Sequence, residues 1–341
     1  MSDVAEGSTR LAVLLGRADD MRAVVYVRVL DGLPASADSQ PPRAIAALTG
    51  SLRGPRCSLA TTLATTARLR ELPPSGVAGD TLPTGEAVLV EPGYWSPELP
   101  NLYQLDLQIT DRDGQPQTQT RAVGVRRLGH RDGAFRLEAR RYVPRAVAWP
   151  CETHEEASAV SAALSEARAS AAALWAGLPS AERCQAADAH GVMLVAELPA
   201  ELSGEHATPD VARLALHPSV GFLVVGESHL PAIPQWRCFR GTMQVGLQLD
   251  ARRPPPTPDL GTAPFTGIDF LVATLPEGAW PHEGWRSRPL LPVMIRRPLS
   301  GGEHPRTITT ARSRCDQLQA DMAGWLAQHE APAWEPAGYA V

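Results

Sequence analysis

The sequence contains no lysine, and Asn101 is its only asparagine. All 32 basic residues are therefore arginine. The lack of lysine excludes every mechanism that needs a lysine amine, such as a Schiff base, a lysine general base or the lysine of a phosphate-binding loop. A GC-rich genome, which disfavours lysine and asparagine codons, is the simplest explanation of the bias.

Cysteine is also scarce, and its spacing is uninformative. The five cysteines are odd in number, widely separated and form no CxxC motif. This pattern argues against a disulfide framework and against a zinc site. No other metal-ligand spacing or cofactor motif is present either, so the sequence predicts a protein without metal or cofactor.

Long apolar runs and a surplus of positive charge are both missing. The acidic N-terminus contains only a brief apolar stretch, Leu11 to Leu15, so no signal peptide or membrane span is expected, and the chain is predicted to be cytoplasmic. The net charge of -5, without any basic run, argues against a nucleic-acid partner.

The first part of the chain, residues 1–128, is predicted to be an antiparallel β-sandwich. It consists of short β-type runs separated by Pro, Gly and Asp turns, with no helical pattern between them. The clearest run places Leu105, Leu107 and Ile109 in alternation with polar residues, which is typical of a strand with one buried face.

The second part, residues 129–341, changes pattern and is predicted to be a degenerate (β/α)8 TIM-type barrel that lacks its last helix. Apolar runs alternate here with helix-forming stretches, and near-continuous apolar runs are typical of strands buried on both faces. The helical stretches are residues 154–170, 180–191 and 310–328. The eight apolar runs are residues 145–149, 171–177, 192–198, 220–227, 242–250, 268–275, 291–297 and 337–341.

Several motifs occur in the order found in glycoside hydrolase family two, the β-galactosidases, β-glucuronidases and β-mannosidases. YWSPELPNLY at 94–103 resembles the family's W-S-P-E-x-P-x-L-Y strand, and VGVR at 123–126 resembles its F-G-F-R. LHPSV at 216–220, followed by VGE at 225–227, resembles the N-H-P-S-V strand that ends in the acid/base glutamate. The resemblance implies an immunoglobulin-like sandwich followed by a barrel, without the family's amino-terminal jelly roll.

Carried over residue by residue, the resemblance places Glu227 at the acid/base position. It places Arg297, or its neighbour Arg296, where the family has its nucleophile glutamate on strand seven. Glu197 and Asp250, at the ends of strands three and five, are either substitute nucleophiles or structural hydrogen-bond acceptors. An arginine pointing inward from strand seven is expected to form an ion pair with Glu227 or Glu197.

Tryptophan outnumbers phenylalanine and tyrosine, with eight Trp against five of each. Five of these tryptophans close strands or lie in the loops that follow them, which would place them around the barrel mouth as surfaces for a sugar or a protein partner, or as plugs. They are Trp149, Trp175, Trp236, Trp280 and Trp285.

Three functions follow as hypotheses. The leading one is a catalytically inactive glycoside-hydrolase-like protein with a binding or assembly role. The second is a divergent retaining β-glycosidase that uses Glu227, and the third is a lectin-like carbohydrate-binding protein. Since a barrel without its last helix leaves apolar surface uncovered, a protein partner or a homodimer through that open side is expected, while the mouth tryptophans offer a surface for a carbohydrate partner.

Overall fold

A computed structural model describes nine stretches of the chain: residues 10–30, 45–73, 84–111, 114–149, 156–256, 265–287, 289–299, 307–328 and 334–341. The chain divides into two compact units. The first comprises Met1–Arg127 with Glu205–Pro218 and Trp236–Thr242. The second comprises Leu128–Gly204, Ser219–Gln235 and Met243–Val341.

The first unit is built on a curled antiparallel sheet of seven strands. Their order in the sheet is β1-β2-β5-β4-β3-β6-β7, which places one, two, five and four on one side and three, six and seven on the other. An immunoglobulin sandwich distributes its strands in the same way. The strands are β1 Leu11–Ala18, β2 Arg22–Val29, β3 Ile45–Arg56, β4 Thr65–Glu71, β5 Thr84–Val90, β6 Leu102–Asp111 and β7 Pro116–Val123.

Alternating burial explains why these segments form strands around one core. Along β2, Ala23, Val25, Val27 and Val29 are buried while the residues between them are more exposed. The predicted alternation in β6 is confirmed, since Leu105, Leu107 and Ile109 all lie in the same core cluster. The sheet curls because both of its halves bury their apolar faces in this cluster.

The approach to β6 is held by buried polar groups. The only asparagine, Asn101, is buried and donates from its side-chain amide to the carbonyl of Tyr94 at 3.0 Å. The Tyr94 hydroxyl in turn donates to the carbonyl of Asp19 at 2.6 Å. Trp95, which is fully buried, forms an isolated bridge with Pro100. These contacts hold residues 94–101 of the YWSPELPNLY segment as the approach to β6, which begins at Leu102.

Tyr103 at the start of β6 provides a test at alkaline pH. Burial raises the pKa of its phenol from 10.0 to about 12, although the hydroxyl accepts a hydrogen bond from Gly93 N–H. The pKa of Tyr103 is higher in the folded than in the unfolded protein. Its contribution to the free energy of unfolding is therefore complete below pH 10 and is lost as the pH rises towards 12. In the wild type we expect the free energy of unfolding, measured in urea, to fall by on the order of 1–2 kcal/mol from this group between pH 10 and 12. Tyr103→Phe should lack this fall. Tyr26→Phe is the control, and an unchanged alkaline loss in Tyr103→Phe would contradict the assignment.

A three-stranded antiparallel sheet opens the second unit, and the sequence patterns did not reveal it. It comprises β8 Leu128–Arg131, β9 Ala134–Leu137 and β10 Arg140–Tyr142, in the order β10-β9-β8. The Phe135 side chain on β9 is fully buried against aromatic residues of the barrel strands that follow. This small sheet therefore packs against the barrel interior.

A closed barrel of eight parallel strands follows, which confirms the predicted barrel. Each of the eight apolar runs supplies one strand, and the runs at 192–198 and 220–227 pair in parallel as expected. The strands are β11 Arg145–Ala148, β12 Ala173–Ala176, β13 Leu194–Glu197, β14 Val220–Val225, β15 Gln244–Asp250, β16 Phe270–Thr274, β17 Val293–Arg296 and β18 Gly338–Ala340.

Five α-helices lie between these strands in the described part of the chain. The three predicted helical stretches are confirmed as α1 Ala157–Ala169, α2 Ala181–His190 and α5 Ile308–Ala327. The others are α3 Gly204–Ala215 and the single turn α4 Ile233–Trp236. Gly191 ends α2 with a φ of 69°, a left-handed conformation that glycine adopts at little cost. Of the helices in the described part of the chain, none is long and apolar enough to cross a membrane.

Candidate barrel-mouth site

Four side chains from four barrel strands meet at the carboxyl ends of those strands. They are Trp175 on β12, Glu197 on β13, Gln248 on β15 and Arg296 on β17, and we refer to them as the mouth cluster. Arg296 Nη1 donates to Glu197 Oε1 at 2.9 Å and lies 3.3 Å from Gln248 Oε1. The carboxyl ends of barrel strands are where this architecture places its functional residues.

Trp175 contributes both a hydrogen bond and a stacking surface. Its indole Nε1–H donates to Glu197 Oε2 at 2.7 Å, so both carboxylate oxygens of Glu197 accept a hydrogen bond. The guanidinium carbon of Arg296 lies 4.2 Å from the centroid of the Trp175 ring, a cation–π geometry. Glu197 is thus neutralised by an arginine that is itself held in a fixed plane.

The two arginines at the end of strand seven point in different directions. Arg297 turns towards α5, where its Nη1 donates to Asp321 Oδ2 at 3.1 Å, and its Nη2 donates to the carbonyl of Ala279 at 3.2 Å. Successive residues of a strand face opposite sides, so only one of the pair can face the mouth. The side chain that enters the mouth cluster is that of Arg296, and the assignment of the position to Arg297 is corrected accordingly. The expected ion pair with Glu197 is confirmed.

Glu227 stands apart from the mouth cluster. It follows β14 as the first residue of a 3₁₀ helix, Glu227–Ala232, and its side chain is exposed. Within the described ranges it makes no side-chain hydrogen bond or ion pair. The alternative ion pair, between Glu227 and an arginine of strand seven, is therefore absent from these ranges.

Asp250, at the end of β15, is engaged with a near neighbour. Its carboxylate accepts hydrogen bonds from the backbone N–H of Arg252 at 3.0 Å and from the Arg252 guanidinium at 2.8 and 3.0 Å. Those hydrogen bonds lower the pKa of Asp250 from 3.8 to about 2. Asp250 is thereby a hydrogen-bond acceptor for a residue just beyond its strand, in keeping with the second of its two expected roles.

The five selected tryptophans do not form a ring around the mouth. Trp236 is fully buried, and its indole donates to Thr208 of α3 at 3.1 Å. Trp285 is buried as well and donates to the carbonyl of Arg253 at 2.9 Å. Neither ring can stack on a ligand, so the assignment of Trp236 and Trp285 to a ligand surface is wrong. These side chains lie in the interior because their large apolar area is more stable away from water.

The remaining tryptophans have different environments. Trp149 is buried beneath the guanidinium of Arg183 in α2, whose carbon lies 4.7 Å from the ring centroid. Trp280 is 49% exposed, and the Arg297 guanidinium lies 5.8 Å from its centroid. Of the five, only Trp280 offers an open aromatic face.

Gln248 and Arg183 belong to these environments, although sequence reasoning did not select them. Gln248 lies two residues before Asp250 on the same strand, so the period of two was a usable signal. Among the residues that the structure describes, no three His, Cys, Asp or Glu side chains lie together as metal ligands would.

Comparison with known proteins agrees with this architecture. A model of glycosyl hydrolases family 2 matches residues 60–126. The fold is similar to that of a Bacteroides uniformis β-glucuronidase, at 14% identity and a TM-score of 0.56, over 97% of this chain and 45% of the other. The expected resemblance to glycoside hydrolase family 2 is confirmed in the sequence of residues 60–126 and in the fold. No curated protein matches the sequence.

Two further β-glucuronidase structures show the same likeness of fold. A Parabacteroides merdae β-glucuronidase has 12% identity and a TM-score of 0.60, over 98% of this chain and 47% of the other. A Bifidobacterium dentium β-glucuronidase complexed with coumarin-3-O-glucuronide has 14% identity and a TM-score of 0.56, over 97% and 59%. The chain thus spans about half the length of these enzymes.

Proposed function

We propose that this protein is a glycoside-hydrolase-like protein without hydrolase activity, and that its barrel serves in binding. One observation carries the proposal: the side chain that strand seven sends into the mouth cluster is the guanidinium of Arg296. The resemblance to family 2 implies a nucleophilic glutamate at the end of this strand. A guanidinium cannot attack a sugar as the glutamate would, because it carries five N–H donors and no acceptor.

The carboxylates that remain do not supply the missing pair. Retaining hydrolysis needs two carboxyl groups about 5–5.5 Å apart, one as proton donor and one as nucleophile. Glu197 has both oxygens occupied by Arg296 and Trp175, and Asp250 is engaged with Arg252. Glu227 alone cannot form and then hydrolyse a covalent glycosyl intermediate.

We also propose that the first unit is an immunoglobulin-like sandwich. Its strand order and the match of residues 60–126 to the family model support this assignment. The hydroxyl of Tyr103, at the start of the sixth strand, bonds to the backbone of Gly93, which resembles the tyrosine corner of such domains.

The proposal predicts no turnover of aryl β-glycosides. Purified protein should release no aryl group from the β-glucuronide, β-galactoside or β-mannoside above the level of buffer, because a nucleophile is lacking. A family 2 β-glucuronidase serves as the positive control for the assay. Release by the wild type that disappears in Glu227→Gln would establish the divergent β-glycosidase instead.

A further inference from the structure

The guanidinium of Arg296 is held on one edge and open on the other. Nη1 donates both side-chain hydrogen bonds of Arg296, to Glu197 and Gln248, and the guanidinium plane lies over the Trp175 ring. The other two nitrogens, Nε and Nη2, make no hydrogen bond within the described part of the chain and are not enclosed. The side chain as a whole is 19% exposed, so a small solute can reach it from solvent.

We propose that this open edge of Arg296 binds the carboxylate of a small organic monocarboxylate at the barrel mouth. The inference rests on the proposed binding role and names the chemical class of its ligand. Two parallel N–H groups at the Nε and Nη2 edge match the two oxygens of a planar carboxylate, which is the strongest form of an arginine contact.

Three features of the mouth cluster favour a singly charged, planar anion. Stacking on Trp175 and the bonds from Nη1 fix the guanidinium before a ligand arrives, which lowers the entropy cost of binding. Glu197 already shares the same guanidinium, so a second full charge on the ligand would be repelled. A neutral hydroxyl compound would accept bonds from the guanidinium without bringing an opposite charge, so it should gain less than a carboxylate.

Gluconate and glucitol are matched probes, because they differ in a single terminal group. In ¹⁵N-labelled protein at low ionic strength, we expect gluconate to shift the indole signal of Trp175 with a dissociation constant on the order of 1 mM. Glucitol should leave that signal unchanged up to about 20 mM. Sulfate, a dianion, should bind several-fold more weakly than gluconate.

Three variants locate the site. Arg296→Gln should weaken gluconate binding at least about tenfold, whereas Arg297→Gln, whose side chain points to α5, should leave it unchanged. Glu197→Gln removes the competing charge but keeps a side-chain oxygen that can accept from Nη1, so it should strengthen binding about threefold or more. If Arg296→Gln does not fold, Arg296→Lys replaces it. Lysine keeps the positive charge but lacks the planar pair of N–H donors, so it should still weaken binding several-fold.

The inference is overturned if glucitol or sulfate binds as well as gluconate, if Arg296→Gln and Arg296→Lys bind like the wild type, or if Glu197→Gln weakens binding. If the protein hydrolyses no glycoside and does not bind gluconate, this inference is wrong and the proposed function stands. Turnover of an aryl glycoside removes the proposed function, and the gluconate measurement remains independent of it.

Discussion

Replacing Phe135 by alanine should lower the free energy of unfolding of the second unit by about 3–5 kcal/mol. The Phe135 ring is fully buried, and its centroid lies 4.8 Å from that of Phe222 and 5.3 Å from that of Phe270. Both contacts are edge-to-face, which adds to the area that the ring removes from water. Tyr142, which belongs to the same small sheet as Phe135, stacks on Phe222. The loss of Phe135 would therefore open a cavity within an aromatic cluster.

The cavity should not collapse easily, because the surrounding backbone is closely packed. A Cβ atom added at Gly246 of β15 would lie 2.3 Å from the ring of Phe270, so that ring already occupies the space beside its neighbouring strand. Chemical denaturation followed by far-UV circular dichroism measures the loss. Arg131→Ala, at a residue whose side chain is 82% exposed, is the control and should change little. A loss below about 1 kcal/mol for Phe135→Ala would show that the small sheet does not support the barrel.

Most of the barrel could be predicted because its strands are buried on both faces. A run such as 220–227 is apolar up to its final glutamate, and the corresponding β14 is buried along its whole length. The helix α3 was missed because Pro209 lies inside it, and proline normally signals a break. Its buried residues, among them Ala207, Val211 and Leu214, nevertheless recur at helical spacing, which was the available signal.

The mouth was predicted less completely, for a physical reason. A sequence shows that Glu197 and an arginine close strands three and seven, and the closed barrel then brings these ends together. It does not show which of two consecutive arginines faces inward, since that depends on the pleat of the strand. Nor does it distinguish an exposed tryptophan such as Trp280 from a buried one such as Trp236, because both follow strands in irregular segments.

The ion pair of the mouth cluster should couple its two members energetically. With side chains 19% and 28% exposed, Arg296 and Glu197 lie between a buried pair, whose disruption costs about 3–5 kcal/mol, and a surface pair worth less than about 1 kcal/mol. We expect Arg296→Met and Glu197→Gln each to cost about 1–3 kcal/mol, since each leaves a partly buried partner without its counterpart. The double variant should cost less than the sum, by about 1–2 kcal/mol.

Equilibrium unfolding of the four proteins measures this coupling. Arg252→Gln is the control, because the Arg252 side chain is 60% exposed and its pair with Asp250 should contribute little. Additive losses at Arg296 and Glu197 would mean that the guanidinium is not held by its carboxylate, and a mobile guanidinium would lose the advantage of a fixed binding edge. Strong coupling together with gluconate binding would instead mean that one arginine has two roles. It would stabilise the mouth through Nη1 and leave Nε and Nη2 for a ligand, at the strand end where the family resemblance implies a nucleophile.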